Sequence, residues 1–141
     1  MIPLRHHQPL SKQRSARKVD LNFEIRFFEG IVRRDRHAVE ALQILGDAYT
    51  KSGRWRDGLA IDRKLARLCP TDPTVFYNLA CSYSLLRKVT LALASLEKAI
   101  RLGYSDARWL ARDPDLRNIR SDPRFRQLCA RVARPPRRRR S

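Results

Sequence analysis

Apolar residues along this chain repeat on two scales. On the short scale Leu42, Leu45, Ala48 and Tyr49 recur at helical spacing, as do Phe76, Leu79, Ala80 and Tyr83, so each set lines one face of a helix. On the long scale a shift of 34 residues superposes the two sets: Leu42 meets Phe76, Leu45 meets Leu79, Gly46 meets Ala80, Ala48 meets Ser82 and Tyr49 meets Tyr83. The match resumes further on, where Gly58 meets Ala92, Leu59 meets Leu93, Leu65 meets Ala99 and Leu68 meets Leu102. Large residues face large ones and small face small, the mark of a stacked structural repeat. Each unit divides into two helices, the second running from about Trp55 to Leu68 in one unit and from about Val89 to Leu102 in the next. Gly46 and Ala80 stand where a large side chain would hold the paired helix away. Gly53 predicts a left-handed cap between the helices, and Gly103 the end of the last repeat helix. Asp72-Pro73 predicts a helix start in which the carboxylate meets free N–H groups.

Shifted backwards, the match continues in part, with Phe27, Phe28 and Ile31 opposite Ile61, Asp62 and Leu65. One helix of an incomplete unit therefore precedes the first full one. That leading helix, Asp20 to Arg34, carries two apolar stripes: Leu21, Ile25, Phe28 and Val32 on one, Phe23, Phe27 and Ile31 on the other. A single packing face is about 100° wide, and leaving an aromatic in water forgoes roughly 1.5–3 kcal/mol. The second stripe is therefore expected to be covered, by the following helices of a monomer or by a partner chain, with the monomer preferred. After Gly103, Asp113-Pro114 and Asp122-Pro123 each open a short segment. Leu116, Ile119, Phe125, Leu128 and Val132 recur there at helical spacing with arginines between them. A terminal repeat exposes an apolar face, and this segment is read as its cap.

The segment from Leu42 through Pro70, with Leu-x-x-Leu-Gly-x-x-Tyr, then Gly-Arg-Trp, then Cys-Pro, resembles a tetratricopeptide repeat. So does the next, with Phe76-Tyr77-Asn78-Leu79-Ala80-x-x-Tyr83 and Ala92-x-x-x-Leu96-x-x-Ala99. The resemblance covers roughly residues 20–104, and the close from Ala99 to Leu128 is similar to that of some bacterial members. It implies an all-α fold, an α-α superhelical solenoid of about two full repeats with a leading half repeat and a C-terminal capping helix. Two departures stand out: Asp62 occupies a place where the family has an aromatic or Leu, and Arg87 replaces the turn glycine. Phe28 falls where the family has its interhelical aromatic.

Charge divides the chain further. Thirty-one Lys and Arg against 14 Asp and Glu give +17. Residues 1–19 contribute +5 and residues 131–141 contribute +6, so the middle has an ordinary charge. The ends also lack apolar periodicity and carry Pro3, Pro9, Pro135 and Pro136. The expected organisation is a disordered basic N-terminal tail over 1–19, a helical domain with its cap over 20–133, and a disordered Arg-rich tail over 134–141. No run of apolar residues suggests a signal peptide or a membrane span. Three widely spaced cysteines, Cys69, Cys81 and Cys129, argue for a reducing compartment and hence a cytoplasmic protein.

No catalytic constellation, glycine-rich phosphate loop or zinc-type cysteine pair is present, so no enzyme activity, cofactor or metal is expected. His6-His7 and His37 read as solvated, and His37 stands beside the capping candidate Asp35. Trp55 is expected to staple its helix pair and Trp109 to anchor the cap. The resemblance implies that the first helix of each repeat lines a concave groove for an extended peptide. Its candidates are Glu40, Gln43, Asp47 and Thr50 from one helix, and Thr74, Tyr77, Asn78, Cys81 and Ser84 from the other. Family members that grip a C-terminal carboxylate place Lys, Arg and Asn there, whereas this groove offers Asn78 beside the acids Glu40 and Asp47. The expected function is a non-catalytic scaffold or adaptor whose partner is a protein segment. The alternative is a nucleic-acid- or ribosome-associated protein that holds phosphates or an acidic partner through Arg134 and Arg137, Arg138, Arg139 and Arg140.

Overall fold

The computed structural model describes residues 20–134. Those residues form seven α-helices and one 3₁₀ helix: α1 (Leu21–Arg34), α2 (Val39–Lys51), α3 (Trp55–Leu68), α4 (Pro73–Leu85), α5 (Val89–Arg101), α6 (Ala107–Arg112), the 3₁₀ helix Pro114–Ile119, and α7 (Pro123–Ala133). First helices begin at residues 39, 73 and 107, and second helices at 21, 55, 89 and 123, so both series keep a spacing of 34. The cap thus takes the place of a third unit. Its first helix is broken at Asp113-Pro114, since Pro114 supplies no N–H to the turn before it.

Aspartates start the helices where the sequence has them. Asp20 accepts hydrogen bonds from the Asn22 and Phe23 amides, Asp72 from Thr74, Asp113 from Asp115 and Asp122 from Arg124. Gly53 and Gly103 end helices with positive φ, at 81° and 113°. Arg87 takes the corresponding left-handed turn at φ 60°, so an L-residue carries there the conformation that glycine carries in the preceding unit. Helices α2 and α3 approach at Gly58, where a Cβ would come within 3.0 Å of Thr50 Oγ1.

Packing joins each helix to the next. Ile25 of α1 is buried with Leu45, Ala48 and Tyr49 of α2, while Phe28 is only partly buried beside them. The deepest anchor of α1 is therefore Ile25, a correction to the expectation for Phe28. The Tyr49 hydroxyl donates to Glu29 at 2.8 Å, and burial with this bond pushes the phenol up to about 12. Leu42, Leu65 and Val75 link α2, α3 and α4. The departure from the repeat pattern at Asp62 has a physical reason: its side chain is buried and accepts a short hydrogen bond from the Ser82 hydroxyl of α4. A polar pair replaces the expected aromatic contact. The largest cluster runs from Phe76 and Tyr77 through Leu96 to Leu110, Leu116, Ile119, Phe125 and Leu128, and Trp109 packs against it. Two aromatic expectations need correcting. Trp55 is 40% exposed rather than clamped between helices, and the second stripe of α1 is open, with Phe23 62% and Phe27 54% exposed.

Candidate functional site

The inner surface expected to hold a partner divides into two unlike halves. On α2, Glu40 is exposed, and Asp47 is half-buried in an ion pair with Lys51 at 2.7 Å. Thr50 turns its hydroxyl back to the Gly46 carbonyl at 3.0 Å. Gln43 is buried, and neither its amide nitrogen nor its amide oxygen finds a hydrogen-bond partner among the described residues. Such groups cost about 1–3 kcal/mol each when left unmet.

On α4 the picture reverses. Thr74 is half-buried beside its capping Asp72, but Tyr77, Asn78, Cys81 and Ser84 are all buried. Tyr77 is 0% exposed: its hydroxyl donates to Asp113 at 2.7 Å, and its ring stacks on Tyr104 with centroids 4.3 Å apart. Cys81 lies 3.6 Å from the same carboxylate oxygen. Asn118 of the 3₁₀ helix donates to the Ser84 carbonyl at 2.9 Å. The stretch from Tyr104 to Ile119 therefore lies over α4 and covers the positions expected to line an open groove. In this chain Tyr77, Cys81 and Ser84 are interior residues, because the third unit's broken helix packs on them. Asn78 keeps its side-chain oxygen unpartnered among the described residues.

Asp113 organises this seal, although the sequence pattern marks it only as a helix start. Its carboxyl is pushed above the ordinary carboxylate range by burial, against the opposing hydrogen bonds from Tyr77, the Asp115 amide, Cys81 and Trp109. Burial likewise raises the Tyr77 and Tyr104 phenols. The donor atoms of Cys81, Asp113 and Asp115 lie within 4.8 Å of one another, which is ligand-like spacing. Hydrogen bonding accounts for it: the Asp113 oxygens accept from Tyr77, Cys81 and the Asp115 amide. Of the basic candidates, Arg134 is exposed at the end of α7, and Arg137, Arg138, Arg139 and Arg140 lie outside the described residues. Among the described residues no helix is long and apolar enough to cross a membrane.

No family model matches the chain. Among curated proteins it is similar to a chloroplastic protein of Arabidopsis thaliana, at 29% identity over 115 residues. That match covers 79% of this chain and 33% of the relative, so the chain spans about a third of that protein's length. Among solved structures, MamA superposes with a TM-score of 0.67 at 21% identity, over 89% of this chain and 72% of that one. MamA is a TPR-containing protein, and the likeness extends over most of the described helices. The fold is that of a tetratricopeptide-like helical solenoid.

Proposed function

We propose that the chain is a non-catalytic protein-interaction module that takes up an extended peptide segment along the inner face of α2. The observation that carries this reading is Gln43. A buried amide whose two polar atoms meet no partner among the described residues is a liability in a module with no ligand, and it matches what the backbone of an extended segment offers, one donor and one acceptor per residue. The Asn78 oxygen adds a second acceptor. The exposed Glu40 favours a segment bearing a cation and disfavours a terminal carboxylate. Three free cysteines fit a cytoplasmic setting.

Replacing Gln43 by Leu separates this role from packing. The variant removes two buried polar atoms that meet no partner among the described residues, so its thermal stability should equal or exceed the wild type. Capture of partners from a lysate, read by mass spectrometry, should nonetheless fall. Equal capture by wild type and Gln43→Leu would sink the reading.

A further inference from the structure

Helix α1 presents an apolar face that nothing among the described residues covers. Phe23 and Phe27 stack with ring centroids 6.3 Å apart and are mostly exposed, and Phe27 meets Phe28 edge-on at 5.2 Å. Gly30 continues the same stripe. A Cβ there would meet nothing closer than 3.9 Å, so the chain's own packing does not call for glycine at this place. Glycine inside a helix costs about 1 kcal/mol relative to alanine. Close approach by a helix from elsewhere gives the missing reason.

The 34-residue spacing would put a first helix of this unit at residues 5–17. The sequence there has Pro9 near its middle, four cations and Leu10 as its one large aliphatic, so it lacks the apolar stripe needed to cover two phenylalanines. Helix α1 is, in contrast, suited to itself. In a chain of net charge +17, the stretch from Asp20 to Arg34 is neutral, with Asp20, Glu24 and Glu29 against Arg26, Arg33 and Arg34. Its charges are also ordered along the helix: Asp20 and the half-buried Glu24 toward the start, Arg33 and Arg34 at the end, with the exposed Arg26 between them. Glu29 is already turned to α2 through Tyr49.

We propose that α1 is a homodimer surface on which two copies pair antiparallel about a two-fold axis at Phe27. This register sets Phe27 on Phe27, lays Phe23 of one copy over Gly30 and Ile31 of the other, and brings Asp20 against Arg34. The contact is isologous, so both copies bury the same stripe and the assembly closes at two. The helix has 14 residues and is about 21 Å long. One such pair falls short of the ~1,200 Å² of a standard interface, so the dimer is a weak one.

Sedimentation velocity of the full chain from roughly 1 to 500 µM, the span suited to a small interface, tests this directly. A concentration-dependent dimer is expected. Phe27→Glu, at an exposed position, should weaken it more than about tenfold while leaving helix content intact. Gly30→Ala decouples packing from folding: it should raise the melting temperature of dilute protein yet weaken the dimer by roughly fivefold or more, because the added methyl holds the helices apart. A full chain that stays monomeric across the range overturns the proposal. So does a dimer that both variants form as tightly as the wild type, since another surface would then be responsible.

Discussion

Helices α2 and α4 hold equivalent places in successive units, yet the paired residues Gln43 and Tyr77 differ in how the chain meets their polar atoms. Gln43 and Tyr77 occupy the same position, 34 residues apart. Gln43 is buried without partners among the described residues, while Tyr77 is tied to Asp113 at 2.7 Å and stacked on Tyr104. The difference comes from the unit that packs on each helix. α4 has the broken helix of the third unit against it, whose break at Pro114 turns the Asp113 carboxylate inward. A capping residue at a chain kink has become the centre of a buried network. The lesson is that a repeat position has no fixed chemistry: its neighbour in the next unit decides whether it is available to a partner.

The largest test of this contrast is truncation at the paired positions. Tyr77→Ala should cost about 3–5 kcal/mol, because it empties a fully enclosed site and takes one donor from a buried carboxyl. Gln43→Leu should cost nothing measurable in the same denaturant titration. Comparable losses at the two sites would erase the distinction between them. The burial of Tyr77 also corrects the sequence expectation that this residue lines an open groove.

A finer test removes one hydroxyl. Burial raises the Asp113 carboxyl, so the folded chain holds its proton more tightly than the unfolded chain does. The stability tied to that group is complete below the ordinary carboxylate value and is lost as pH rises through the raised folded value. Tyr77→Phe deletes a donor that favours the ionised form, pushes the carboxyl further up and extends the loss to higher pH. The expected cost is about 1 kcal/mol near neutrality, the loss of one hydrogen bond from a buried carboxyl that keeps Cys81 and the Asp115 amide. Part of it should return on acidification, which unfolding curves between about pH 4 and 7 will register. A pH-independent difference between the two proteins would remove Asp113 from the account.

The smallest effect is at the turns that close the two helix pairs. Arg87→Gly should stabilise by about 1 kcal/mol, because glycine takes the left-handed conformation without the side-chain clash. Gly53→Ala should destabilise by a similar amount. Thermal melts of both variants will show whether the two turns, alike in backbone, differ only in residue.

Much of the fold was legible because its signals are local. The 34-residue shift, the aspartate caps and the glycine ends each depend on a few neighbouring residues, and the helices from α1 to α5 begin close to where those signals place them. Asp62 was legible only as a departure. That its partner is Ser82, 20 residues away, required the packing of α3 on α4. The site was less legible. Periodicity told which side chains share the inner face, but not which of them the chain itself would cover.

The sequence by itself determined the repeat length, the approximate helix boundaries and the apolar faces, since backbone capping and side-chain periodicity act within one or two turns. Tertiary structure alone decided exposure. Phe23 and Phe27 stay open because no described helix packs on their side of α1. Tyr77, Cys81 and Ser84 are closed because residues more than 30 positions later fold back over them. Burial is a property of two surfaces brought together, and a periodic pattern records only one of them.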